Sequence, residues 1–437
     1  MGGIEVAVAE GKAGLRQFVE LPYRLYRNDR HWVPPLRIAM KELLDRDKHP
    51  FYRDAEAEFF LALRDGQVVG RIAAILDKAY NRFHSEQTGF FGFYESIDDK
   101  EVAKALLDRV WKWLQRRGAT VMRGPVNPST NYECGMLIEG FDSDPMVMMP
   151  YNPPYYPELM GEAGMRKAKD LYAYSSGVAD VGTEKSERVA ERAMTAAGIV
   201  VRPIDVKNFA ADVERVWQVY NSAWERNWGF VPMSHEEFAL MGKEMKQILQ
   251  PELVLVGEVQ GRVVGFAIAL PDFNQALKPA GGRLFPLGLV KILYYRRLIK
   301  GVRVLVLGVM EEYRASGLAA AFYATLTRNA RKLGYRDCEM SWILEDNVLM
   351  NRSLEMMGAK RYKTYRIYEW NRERCAFLLA TSRARKGAAE PTTFSKNAGT
   401  SLVRVIFSPL GSTCTSRSSG IAKVAGPERS VGASEMC

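Results

Sequence analysis

The hydrophobic pattern of the chain comes in pairs. EFFLAL (58–63) leads into Asp65 and Gly66 and out into VVGRIAAI; ELVLVGEV (252–259) leads into Gln260 and Gly261 and out into VVGFAIAL. Each is a strand, a two-residue turn carrying glycine, and a second strand, so each predicts a β-hairpin. Helical spacing precedes both hairpins, in FVELPYRLYRN (18–28) and VERVWQVYNSAWERN (213–227), and it returns in AAAFYATLTRNARKLG (319–334), where Phe322, Leu326, Ala330 and Leu333 recur on one face. That helix lies between two apolar strands, VLVLGVM (304–310) and DCEMSWIL (337–344).

The pairing extends further along the chain. GMRKAK at Gly164 parallels GAKRYK at Gly358, and Trp32-Val33-Pro34 parallels Phe230-Val231-Pro232; with the hairpins, the three offsets are 195, 194 and 198 residues. Three matches in order at nearly constant offset indicate a duplication. Residues 10–178 and 200–372 are therefore two copies of one fold, each ordered helix, helix, hairpin, strand, helix, strand, helix, strand. Residues 179–199 read as a connecting helix. The fold class is α/β, with mixed sheets flanked by helices.

Composition narrows the class without identifying it. The chain has 437 residues, 47% hydrophobic and 26% charged, which is the balance of a globular protein. No apolar run reaches the length of a membrane span, and the N-terminus resembles no secretion signal, so a cytoplasmic protein is expected. Five scattered cysteines and four histidines form no metal-ligand spacing, so no metal is expected. Of the net charge of +10, half lies in residues 381–437, which carry eight Lys or Arg against three Asp or Glu. That Ser-, Gly- and Ala-rich stretch reads as a disordered basic tail.

Candidate chemistry sits between VLVLGVM and the helix that follows. There the chain reads Tyr313, Arg314, Ala315, Ser316, Gly317, Leu318, Ala319. A strand entering a helix through small residues presents unpaired N–H groups at the positive end of the helix dipole, an arrangement suited to phosphate. Val309, Tyr313, Arg314, Gly317, Leu318 and Ala319 follow the spacing V-x-x-x-Y-R-x-x-G-L-A, and Asn347, Met350, Leu354 and Gly358 follow on the next helix. Together these resemble the two acyl-CoA motifs of the GNAT acyltransferase superfamily. The resemblance implies an acyl-CoA cosubstrate, its pyrophosphate at Arg314, Ala315, Ser316, Gly317, Leu318 and Ala319, its thioester held by backbone near Leu307 and Val309, and a further contact at Asn347. Leu354 stands where many relatives carry a tyrosine that protonates the leaving thiolate, so that role passes elsewhere.

The first copy departs from the same motif. Asp98, Asp99, Lys100, Glu101, Val102 and Ala103 occupy the loop position, where carboxylates repel a pyrophosphate. This copy is expected to shape the acceptor site instead. Its polar stretch RGPVNPSTN (123–131) and the Met-, Pro- and Tyr-rich loop through Tyr156 either line a pocket or serve as structural loops.

The second copy also carries an insertion, residues 281–303, which mixes leucines and aromatics with Arg283, Lys291, Arg296, Arg297, Lys300 and Arg303 and contains no acid. It reads as a basic amphipathic helix that meets a membrane surface, or as one packed on its own domain. The stretches PYRLYRNDRHWVPPL, RGPVNPSTN, YNPPYY and MSWILEDN resemble a bacterial family of duplicated GNAT proteins that includes ceramide synthase. The resemblance covers residues 15–372 and implies fatty acyl transfer from acyl-CoA to a lipid amine of the sphingoid type, with no nucleic-acid partner. Such chemistry needs a base and an acid; Glu345 and Asp346 are the candidate bases, Tyr365 and Tyr368 the candidate acids. Two other readings stand beside it: an aminoacyl-tRNA-dependent transferase of cell-wall synthesis, and a non-catalytic acyl-CoA sensor.

Overall fold

The computed structural model describes residues 3–181, 198–225 and 227–371, together with Arg188, Arg192, Met194 and Thr195. The four isolated residues are helical; residues 182–187, 189–191, 193, 196 and 197 of the connecting segment, and the basic tail, lie outside the described residues.

The strands of the first half are β1 (Ile4–Val8), β2 (Ala55–Arg64), β3 (Gln67–Asp77), β4 (Thr88–Ser96), β5 (Val121–Gly124), β6 (Val126–Asn127), β7 (Glu133–Cys134), β8 (Met136–Glu139) and β9 (Arg166–Gly177). Those of the second half are β10 (Ile199–Pro203), β11 (Val254–Val259), β12 (Arg262–Pro271), β13 (Gly301–Val309), β14 (Asp337–Leu344) and β15 (Lys360–Asn371). Both hairpins form, and their turns place Asp65 and Gly66, and Gln260 and Gly261, at positive φ. That is the turn whose twist matches the strands it joins.

One sheet contains both halves, in the order β1-β2-β3-β4-β5-β15-β9-β14-β13-β12-β11-β10. The order is symmetric about its centre, with one exchange. The last strand of each half pairs with the preceding strand of the other: β15 lies on β5 and β9 on β14, and β9 and β15 pair antiparallel at the centre. In the outer strands both faces are covered. Along β2, Phe59 and Leu61 enter the core under the helix Gly11–Leu25, while Phe60 and Ala62 enter the core under the helix Lys100–Gln115. Along β12, Ala267 packs toward the helix Leu318–Lys332 and Phe266 toward the helix Phe209–Ala223. The two-residue alternation of a strand feeding two helical layers produces the near-continuous apolar runs of the sequence.

Two expectations change. Leu333 does not share the buried face of Phe322, Leu326 and Ala330; it is the C-cap residue of that helix and is 41% exposed. The insertion is not a helix from end to end. Only Gly288–Tyr295 is α-helical, a 3-10 turn spans Arg296–Leu298, and Gly301 already begins β13. Arg303 consequently leaves the basic surface; it is completely buried in the sheet.

Candidate active site

The parallel pairing of β13 with β14 runs from Gly301 opposite Asp337 to Val304 opposite Met340, and there it stops. On its other edge β13 pairs with β12, but the register slips between Ile268 opposite Val306 and Ala269 opposite Val304, so Leu305 is an extra, bulged residue. Beyond the bulge β13 and β14 separate. Backbone groups alternate sides along a strand. The Met310 N–H already donates to Val264 O on β12, at 2.9 Å, so the N–H groups of Leu307 and Val309 face the gap. Gly308 between them is held by packing: a Cβ there would lie 2.1 Å from the indole of Trp224.

Past the gap, Glu311–Ser316 form a 3-10 turn and Gly317, at φ +80°, starts the helix Leu318–Lys332 without a side-chain cap. The Ser316 hydroxyl donates to Tyr313 O at 2.6 Å and accepts from the Leu318 N–H at 3.3 Å, and the Arg314 guanidinium donates to Ala223 O at 3.1 Å. The Leu318 side chain is completely buried against Gly257 and Gly265, so it anchors the turn from within and presents no side chain at the loop. Ala315 and Ala319 flank the turn with minimal side chains. The equivalent helix of the first half is capped differently: Asp99 accepts from the Glu101 and Val102 N–H groups at 2.8 and 3.2 Å and pairs with Arg64. A carboxylate thus caps two N–H groups there, where in the second half the neutral Ser316 hydroxyl takes the Leu318 N–H.

The side chains nominated from the sequence fall in separate places. Asn347 is exposed and caps the helix Val348–Met356 through the Met350 N–H. Glu345 accepts from Lys167 and from the Asp170 N–H on β9, and Asp346 pairs with Lys169 at 2.7 Å. The Lys169 hydrogen bond holds the Asp346 carboxyl below the ordinary range, which makes it a weaker base. Tyr365 is completely buried, its hydroxyl without a hydrogen-bond partner, and burial raises its pKa. Tyr368 packs into the core of the first half. Leu354 is a fully buried core residue.

One cavity borders the gap and a second shares a wall with it. One, of about 180 Å³, lies between the helices Phe209–Ala223 and His235–Met245 and strands β12 and β13; Leu305, Val306 and Trp342 line it, as do Met233, Met241 and Met245. The other, of about 380 Å³, lies in the first half and is lined by Arg71, Glu95, Asn127, Glu133 and Tyr151 among others. Tyr132 and Met148 line both. The two loops singled out in the sequence turn out to be walls: Thr130 and Asn131 border the first cavity, Pro125 and Asn127 the second, with Met149 through Asn152 opposite. They are structural as well, since Thr130 donates to Gly229 O at 2.6 Å and Asn131 to Val231 O at 3.1 Å. Beneath the gap, buried Arg303 donates to Ser341 Oγ at 2.9 Å and Val147 O at 2.7 Å and lies 3.4 Å from the buried Glu339 carboxylate.

No protein-family model matches the chain. The bacterial ceramide synthase of Caulobacter vibrioides (strain NA1000 / CB15N) is 34% identical over 373 residues, which cover 84% of this chain and 97% of that protein. The chain belongs to the bacterial ceramide synthase-like family. The protein YghO of Escherichia coli (strain K12) is also 34% identical, over 82% of this chain and 93% of its own length. Among solved structures, a tandem GNAT protein from the clavulanic acid biosynthesis pathway aligns with a TM-score of 0.50 at 12% identity, covering 84% of this chain and 98% of that one. The fold is that of tandem GNAT domains, and this member of the ceramide synthase-like family is an acyltransferase.

Sequence reasoning missed Leu305, Glu133 and the shared wall at Tyr132 and Met148. A bulge leaves no mark in VLVLGVM, which reads as an unbroken strand. Glu133 does have a signal, a lone acid in an otherwise uncharged stretch from Gly124 to Leu137, but its position inside the molecule depends on the β6–β7 pairing that sets it opposite Asn127.

Proposed function

We propose that the chain transfers a fatty acyl group from acyl-CoA to the amine of a long-chain, sphingoid-type lipid. The observation that carries this reading is the apolar cavity that opens beside the bulge at Leu305. An acetyl group needs no such space, and an apolar cavity of about 150 Å³ admits a six-carbon ring. Methionine walls yield further, because an unbranched thioether side chain readily changes rotamer. The pyrophosphate rests on the Arg314–Ala319 turn, which places the thioester in the gap with its oxygen toward the Leu307 and Val309 N–H groups. Those donors stabilise the oxyanion as the amine attacks. Asn347 borders the exit of the CoA arm. Residues 200–372 supply this acyl-CoA half, and residues 10–178 the half that receives the acceptor. The ceramide made by the Caulobacter relative is the product such a reaction yields.

Thiol release with sphinganine as acceptor tests the reading. Palmitoyl-CoA should be consumed at least about tenfold faster than acetyl-CoA at equal concentration. Met241→Trp should lower the palmitoyl rate by about tenfold, the scale of a displaced methylene or two, and leave butyryl-CoA unaffected. Equal rates with acetyl-CoA and palmitoyl-CoA would rule out the fatty acyl assignment.

A membrane surface is the source we propose for both substrates. Phe285, Leu287, Val290, Tyr294 and Leu298 of the insertion are all at least half exposed, and Arg296 and Arg297 close the same helix. No helix among the described residues is long and apolar enough to cross a membrane; the contact proposed is peripheral, through these exposed side chains. Burying two such side chains is worth about 3–6 kcal/mol. Val290→Asp with Leu287→Asp should therefore reduce co-sedimentation with phosphatidylglycerol vesicles by more than tenfold while leaving thermal unfolding unchanged. Undiminished vesicle binding would remove the insertion from that role.

A further inference from the structure

None of the residues assigned to acyl-CoA lines the larger cavity. Its walls combine two kinds of surface. Leu36, Ala39, Met40 and Leu43, on and before the helix Arg37–Leu43, give an apolar side, and Leu277 continues it. The inner wall carries Arg71, Glu95, Asn127 and Glu133. An apolar cavity whose inner wall carries two carboxylates against one guanidinium matches an amphipathic amine with its ammonium inward. The outer side also adjoins the exposed insertion, since the Arg37 N–H and guanidinium donate to Gly282 O at 3.1 and 3.2 Å.

The two carboxylates differ in their freedom. Glu95 is committed: it accepts from the Tyr26 hydroxyl at 2.7 Å and the Tyr156 hydroxyl at 2.8 Å, and Arg71 lies 3.5 Å away. Glu133 has the Asn127 side chain as its hydrogen-bonding neighbour among the described residues. The Asn127 Oδ1 already accepts from the Phe93 N–H at 2.6 Å, which directs its amide group toward Glu133 across the β6–β7 pair. Tyr132, immediately before Glu133, lines the acyl cavity as well, and its hydroxyl is fixed by donation to Glu237 Oε1 at 2.9 Å. The partition between the two cavities is thus the residue adjacent to Glu133.

We propose that this cavity binds the lipid amine and that Glu133 accepts the proton that its ammonium must lose before attack. The proposal rests on the acyl-transfer reading above and names the acceptor side of the same site. The ammonium gives one proton to the Glu133 carboxylate. The neutral amine nitrogen then forms the C–N bond to the thioester carbonyl, the C–S bond breaks, the electron pair stays on sulfur, and the second N–H proton converts the thiolate to free CoA thiol. Glu133 returns its proton to solvent through the cavity. Burial raises the carboxyl of Glu133, and Glu95 on β4 adds to the rise, while Arg303 on β13 opposes it; Cys134 and Tyr365 also face it. A raised carboxyl is better matched to a proton held by an amine.

Sphinganine binding without CoA, followed by titration, tests the site separately from the transfer. Ala39→Trp at the rim and Glu133→Gln within should each weaken sphinganine about tenfold or more, with palmitoyl-CoA affinity unchanged. With both substrates present, Glu133→Gln should lower kcat by about 100-fold or more and abolish the acidic limb of the pH–kcat profile, whereas Ala39→Trp should raise KM for the amine at nearly constant kcat. Sphinganine affinity unchanged in Ala39→Trp would overturn the cavity assignment, and a full pH profile in Glu133→Gln would overturn the role of Glu133. Failure of the transfer reading itself is a different result: wild type that binds sphinganine but no palmitoyl-CoA.

Discussion

Gly317→Glu should abolish acyl-CoA binding and leave the fold standing. Gly317 sits at φ +80° where the 3-10 turn meets the helix Leu318–Lys332, and no side chain caps that helix. A non-glycine residue at positive φ costs about 1 kcal/mol. That loss is tolerable in a domain stable by about 5–15 kcal/mol, because Leu318, the neighbour that anchors the turn, stays packed on Gly257 and Gly265. The ligand loses more. A carboxylate about 4 Å from a phosphate charge near a protein surface costs about 4 kcal/mol, so CoA affinity measured by calorimetry should fall by more than 100-fold. Gly317→Ala should lose far less than this, since it introduces strain without charge. The first half already contains the corresponding arrangement, with Asp99 seated on the N–H groups of Glu101 and Val102. Undiminished CoA affinity in Gly317→Glu would place the pyrophosphate elsewhere.

What was legible in the sequence follows from the range of the interactions involved. The hairpins at Asp65-Gly66 and Gln260-Gly261, and the turn at Gly317, are set by local conformational preference, so a few adjacent residues announce them. The duplication is legible because two copies repeat the same local signals at a fixed spacing. The exchange of β9 and β15 is not, since either strand has the same alternation whether it pairs with its own half or the other. Arg303 shows the same limit. As one of six basic residues in the insertion it reads as surface charge, and only the start of β13 at Gly301 carries it inside, where Ser341, Val147 and Glu339 receive it. Glu345 and Asp346 stand out in the sequence by their place at the end of a strand; their partners, Lys167 and Lys169, belong to a strand about 175 residues earlier that arrives only through the exchange.

That exchange carries the other large prediction: neither half should fold alone, and the two should fold together. Residues 1–181 retain β9 but lose both of its neighbours, and residues 182–437 retain β14 and β15 with no strand between them. The β9–β15 pairing spans nine residue pairs, from Lys360 opposite Ser175 to Glu369 opposite Arg166. At about 1 kcal/mol net for each backbone hydrogen bond, its loss alone approaches the whole stability of a domain. The side chains at this seam are as interdependent. Tyr174, 1% exposed, donates to Asn351 Oδ1 at 3.0 Å, and Arg366 holds Asp170 through two hydrogen bonds of 2.7 and 2.9 Å. Produced separately, each half should aggregate or show no cooperative unfolding. A chain cut within residues 182–197 after folding should instead remain a one-to-one assembly on size exclusion and retain its transferase rate, because the sheet rather than the connection joins the halves. A cooperatively unfolding monomer of residues 200–372 that binds CoA would contradict this, since it would require β14 and β15 to close on each other without β9.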